Sequence, residues 1–201
     1  KEKARELAEI YFARYPSGVR SPEWVTEEPP QKGPRKSMRF LDGARKPLVR
    51  IGFHAARMGT REFYALDAMT MVLSHGRSAR MEQNLVEEGL AVEAWSANPD
   101  NRYAGMFILG GSPNEPSEIK KGTSREEKKR AYLKACEELE NRLLKEAEKL
   151  KTQPVSDREL EKIKKLNRRD FLDRLRSNES LATTLATLEV QVGWRYFSTY
   201  L

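Results

Sequence analysis

Cysteine and histidine are nearly absent from this chain, which has Cys136, His54 and His75 and no others among 201 residues. One thiol cannot form an internal disulfide, and in "YLKACEELENRLL" it lies within a helical pattern with no His-partnered nucleophile motif. Neither a disulfide scaffold nor thiol catalysis is encoded. The two histidines stand a helix apart and fit neither H-E-x-x-H nor the inverted H-x-x-E-H, nor any zinc spacing with the cysteine. We therefore expect no metal ligand and no catalytic residue in this chain. His54 reads as a polar residue on the less apolar face of a strand. His75 reads as a residue at a helix C-terminus, favourably placed against the helix dipole.

Long apolar runs are missing too, so no stretch spans a bilayer, and no membrane partner is expected. The first residues, "KEKARELAEIYFARYP", form a charged amphipathic helix rather than a signal peptide. There is no initiator Met, as expected for a piece of a longer chain whose localisation signals lie elsewhere. Glycine stretches such as "LGGSP" and "SHGRS" carry neither phosphate-loop pattern. Trp95 and Trp194 read as core or domain-interface residues rather than stacking platforms.

What is present is charge, with a formal net value of +7. Residues 120–169 hold 17 Lys plus Arg against 10 Asp plus Glu, so the excess lies in one helical region. There the acids interleave with the bases at helical spacing, the pattern of solvated helix faces. Binding of nucleic acid or another anion by these basic helices is the weakest of three functional readings, because no aromatic interleaving or recognition motif accompanies them.

The order of elements is legible. Residues 1–34 read as a leading helix followed by a connection with four prolines, passing out of a preceding domain; residues 35–201 read as an α+β domain, with truncation at its C-terminus left open. "KSMRFLD" and "KPLVRIGFHA" are predicted strands around a turn at Asp42-Gly43. In the second, Val49, Ile51 and Phe53 alternate with Arg50, Gly52 and His54. A helix over 60–74 presents Phe63, Leu66, Met69, Val72 and Leu73 as one stripe. A short helix over 79–88 precedes the strands "LAVEAWSA" and "YAGMFILGG", and the second of these, apolar on both faces, is predicted to be central. Three helices follow, two of them opened by the capping boxes Ser124/Glu127 and Ser156/Glu159. The predicted fold class is α+β: a mainly antiparallel sheet with helices packed on one side.

"IGFHAARMGTREFYALDAMTMVLSHGRSARMEQNLVEEGLAVEAWSA", then "YAGMFILGGSPN" and "PVSDRELEKIKK", resembles the second domain of a half-molecule in the pitrilysin/insulysin family, which includes the mitochondrial processing peptidases. The resemblance implies a metallopeptidase-like domain of the processing-peptidase type, forming part of a substrate chamber closed by two halves. It implies zinc in the catalytic domain of the parent and none in this chain, which alone is expected to be inactive. The implied partners are a preceding catalytic domain or second half-molecule, and a peptide substrate. In the family's noncatalytic half, an Arg and a Tyr in this region contact substrate; here Val86 and Val92 stand in their places. That points to the zinc-bearing half, or to a catalytically inactive homologue acting as a scaffold or assembly subunit. Arg80 matches the arginine of the family's "S-S-R-L" turn, with Ala79 in place of the second Ser. It is the candidate substrate contact, with binding of a helix C-terminus or a nearby carboxylate as the structural alternative.

Overall fold

The computed structural model describes residues 1–16, 18, 25, 26, 28–41, 43 and 46–199. Its contacts divide the chain into two units, Lys1–Leu41 and Asp42–Leu201. In the first, helix α1 (Glu2–Phe12) buries no residue, and Leu7, Ile10, Tyr11 and Phe12 are exposed. The predicted strand "KSMRFLD" does not form over its described residues 36–41. Met38 and Phe40 alternate correctly but are exposed, so the stretch has no buried face to hold it as a strand. Asp42 lies outside the described residues, and Gly43 takes φ 84° in the expected turn.

The second unit is built on three strands, β1 (Val49–Ala55), β2 (Ala91–Ala97) and β3 (Gly105–Pro113). They run antiparallel in the order β1-β3-β2, so the doubly apolar β3 is central as its sequence indicated. Directly paired residues share a face. Val49/Gly111, Ile51/Leu109 and Phe53/Phe107 point to one side, and Arg50/Gly110, Gly52/Ile108 and His54/Met106 to the other.

Two helices cover the first face, α2 (Arg61–Ser74) and α3 (Arg125–Thr152). Leu73 from α2, Leu139 and Leu143 from α3, and Phe107 and Leu109 from β3 are buried together with Met81 and Leu85. Truncating any one of these leucines to Ala removes transfer energy and leaves a cavity, at about 2–5 kcal/mol. Helices α4 (Asp157–Arg174) and α5 (Asn178–Gln191) complete the layer. Gly193, at φ 93°, separates the end of α5 from a 3-10 turn at Trp194–Thr199. A second cluster of Met58, Phe63 and Leu188, with Val192, Tyr196 and Phe197 against it, joins α5 and this turn to α2. Trp95 is half-buried, whereas Trp194 is 50% exposed and lies outside the core. Among the described residues no helix is long and apolar enough to cross a membrane.

Candidate functional site

The stretch from Ser74 to Ala97 links α2 to β2 through two reversals. Gly76 (φ 80°) and Gly89 (φ 76°) occupy the left-handed region, where a side chain is strained. Between them the predicted short helix is wound more widely than expected. Residues Glu82–Val86 form a π-helical turn, shown by the Glu87 N–H bonding to the Glu82 carbonyl at 2.9 Å. Such single wide turns insert a residue and redirect side chains. Here the turn buries Leu85, and the Leu90 N–H bonds to the Leu85 carbonyl at 2.9 Å just before β2 begins.

Long-range polar contacts hold this joint from α3 and α4. Lys162 donates from Nζ to the His75 carbonyl and to Ser78 Oγ, both at 2.8 Å, so a cation closes the C-terminus of α2. Arg80 donates from Nε to Glu159 Oε1 at 2.9 Å and from Nη2 to Oε2 at 3.0 Å. Its Nη1 also donates to the carbonyl of Gln153, the C-cap of α3, at 3.2 Å. Arg80 thus grips the end of one helix and the start of the next, and its side chain is only 16% exposed.

Glu159 is itself the third residue of the α4 capping box, accepting from the Ser156 N–H at 2.9 Å. Hydrogen bonds from Arg80, helped by those from Ser156 and opposed by burial, hold its carboxyl at about 2. The same pairing raises the Arg80 guanidinium above its ordinary value.

A second contact was not legible in the sequence. Glu146 of α3, in a stretch read as a solvated face, is fully buried. Its carboxylate accepts from Asn84 Nδ2 at 2.9 Å and from Lys149 Nζ at 2.5 Å. Arg142, one turn earlier, donates to the Asn84 carbonyl at 2.9 Å and pairs with Glu88. The π turn is thereby fixed at Asn84 from both its side chain and its backbone. A charged residue at the right helical spacing could have revealed Glu146 only if the packing of α3 on the turn were already known.

Midway along α2, Asp67 is half-buried, and Asp100, beyond the end of β2, is exposed. Burial raises the Asp67 carboxyl first and the charge of Asp100 raises it further; burial alone raises Asp100, and Arg174 opposes both shifts. Among the described residues no group of three or more His, Cys, Asp or Glu is placed to hold a metal ion. His54 is exposed on β1 and His75 is the exposed C-cap of α2. Val86 closes the π turn; Val92, 44% exposed, is the bulged residue where the β2–β3 register shifts between Ala91 and Glu93.

A family model described as the peptidase M16 inactive domain matches residues 1–167. The chain belongs to this family. Zinc protease PqqE of Helicobacter pylori is 29% identical to this M16 domain over 168 residues, which are 82% of the chain and 34% of that relative. The crystal structure of a protease from Helicobacter pylori matches 100% of the chain and 45% of its own, with a TM-score of 0.81 and 26% identity. The inactive peptidase domain of a Bordetella parapertussis protein described as a zinc protease shares the fold, at 21% identity and a TM-score of 0.55 over 76% of this chain and 74% of that one. This M16 domain thus spans 34% and 45% of the two Helicobacter proteins. It is a noncatalytic, inactive-type domain, and its predicted α+β class is the fold observed.

Proposed function

We propose that this M16 domain is the noncatalytic part of a zinc-dependent metallopeptidase, where it forms a wall of the chamber in which a zinc-bearing half cleaves peptides or unfolded segments. The match of the inactive-domain family model to residues 1–167 carries this reading. It is supported by what the charged groups around the joint do. Arg80, Lys162, Arg142 and Glu146 are engaged in fixing one element on another. Arg80 serves as a positioning residue, and any contact with a peptide has to be made without releasing Glu159. Zinc belongs to the catalytic half, carried on the same chain or on a partner subunit, and residues 1–34 act as the passage between domains. Val86 and Val92, where the noncatalytic half of the resembled family has Arg and Tyr, favour placement beside the zinc site or in an inactive scaffold homologue. The basic helices offer little to nucleic acid, since Lys149, Lys151 and Lys164 are each paired with a Glu three residues earlier.

Elemental analysis and peptide hydrolysis test the proposal on three samples: this chain, the half bearing H-x-x-E-H, and the two combined. The expected result is no stoichiometric zinc and no hydrolysis from this chain, with activity of the combined sample exceeding that of the other half by about tenfold or more, the scale of lost orientation of a bound substrate. Zinc bound one to one by this chain, or a catalytic half equally active without it, would sink the proposal.

A further inference from the structure

Helix α4 packs against α2 and α5 and buries Ile163 and Phe171. On its outer side Leu160, Lys164, Arg168 and Leu172 follow one another at steps of a helical turn, with Leu175 one turn further on, so they form one stripe. Leu160, Leu172 and Leu175 are 42%, 53% and 43% exposed, and Lys164, Lys165 and Arg168 are exposed beside them. The charges of this face do not cancel. Glu161 is paired with Lys164, Asp170 with Arg169 and Asp173 with Arg176, whereas Lys165 and Arg168 form no ion pair among the described residues. Helix α3 is also basic, yet among the described residues none of its large apolar side chains is exposed. Exposed leucines and surplus cations coincide on α4.

We propose that the outer face of α4 rests on an anionic lipid bilayer, with Leu172 and Leu175 entering the interface and Lys165 and Arg168 against the head-group phosphates. This goes beyond the peptidase reading and does not depend on it. The lack of a spanning run excludes crossing a bilayer by a helix, not lying on one. A helix that lies in the interface needs leucines set among cations on one face, rather than the long apolar run of a span. Charge selects the sign of the surface. Each cation held near an anionic bilayer gains about fivefold in binding, so Lys165 and Arg168 together give about 25-fold over a neutral one. The leucines select a bilayer over nucleic acid. A phosphate backbone would satisfy the two cations but leave Leu172 and Leu175 in water, whereas the boundary between head groups and acyl chains removes their apolar surface from it.

Flotation of this full chain with vesicles tests the proposal, comparing phosphatidylcholine alone with the same lipid containing about 30% phosphatidylserine. Binding is expected to favour the anionic vesicles by about 25-fold or more at about 0.15 M salt, and to weaken as salt rises. The double variant Lys165→Gln/Arg168→Gln should lose about 25-fold, and Leu172→Gln about fivefold. Lys128→Gln/Lys145→Gln removes the same charge from exposed positions on α3 and should change binding by about twofold at most. Every substituted residue is exposed, and circular dichroism checks that each variant is folded. Equal binding to neutral and anionic vesicles, or binding unchanged by both α4 variants, overturns the proposal. An equal loss from the α3 and α4 pairs makes it an effect of net charge and overturns it as well. Tighter binding to random-sequence duplex DNA that is insensitive to Leu172→Gln makes nucleic acid the partner and overturns it too. Each of these outcomes leaves the peptidase reading standing.

Discussion

Arg80 and Glu159 meet as a two-pronged pair, Nε to Oε1 at 2.9 Å and Nη2 to Oε2 at 3.0 Å, although 79 residues separate them. One lies in the turn after α2 and the other in the first turn of α4. Because Glu159 also caps its own helix, the pair makes the start of α4 and the path into β2 parts of one unit.

Replacement of Arg80 by Lys retains the charge but loses the fork that contacts both carboxylate oxygens and the Gln153 carbonyl. The expected loss is about 1.5–3 kcal/mol, the range for hydrogen bonds to charged groups, read as a lowered urea midpoint. In the assembled peptidase, activity should fall only with the folded fraction. A selective rise in KM for peptide with stability unchanged would instead make Arg80 a substrate contact.

Acid titration isolates the same pair. The folded-state carboxyl of Glu159 lies at about 2, below its ordinary value of 4.5, so its stabilisation is complete above pH 4.5 and is lost as pH falls towards 2. The contribution at stake is about 3 kcal/mol. Glu159→Gln should therefore be less stable than the wild type at pH 6, with the gap closing between pH 4.5 and 2. A gap of constant size across that window would remove ionisation of Glu159 as its cause.

The Asp67–Asp100 pair has the opposite sign. Burial raises both carboxyls, so the stability linked to them is present below the ordinary value of 3.8 and lost as pH rises through the folded-state value. Asp100→Asn removes the charge that acts on Asp67 and leaves the hydrogen bond from Gln191 Nε2 to the Asp100 backbone carbonyl intact. It should raise the melting temperature at pH 7, and the gain should vanish below pH 3.8. A destabilised variant at neutral pH would show that the Asp100 charge is held by Arg174 more strongly than burial opposes it.

Glu146→Ala leaves the Asn84 amide unpaired, releases Lys149 and opens a void beneath the π turn. The expected cost is about 3–5 kcal/mol, as for breaking a buried ion pair. Hydrogen exchange at residues 82–90 should accelerate more than at β3. Uniform acceleration across both would mean that Glu146 supports the core generally rather than the turn.

The elements that form from local pattern were already legible: the α2 stripe, the alternation in β1, both capping boxes and the central place of β3. Each depends on spacing within a few residues, which the sequence states directly. The resemblance to the peptidase family also came from the order of local motifs, and it named Arg80 as the residue to watch. Tertiary structure decided what distance along the chain conceals. "KSMRFL" alternates as a strand should, yet Met38, Phe40 and Leu41 are exposed and no strand forms over its described residues. Glu146 has the sequence context of a surface charge, yet the turn carrying Asn84 closes over it. Arg80 could have faced solvent or substrate; the chain brings Glu159 to it. Ion pairs and buried charges depend on three-dimensional proximity, whereas the sequence determines which local elements are available to be brought together.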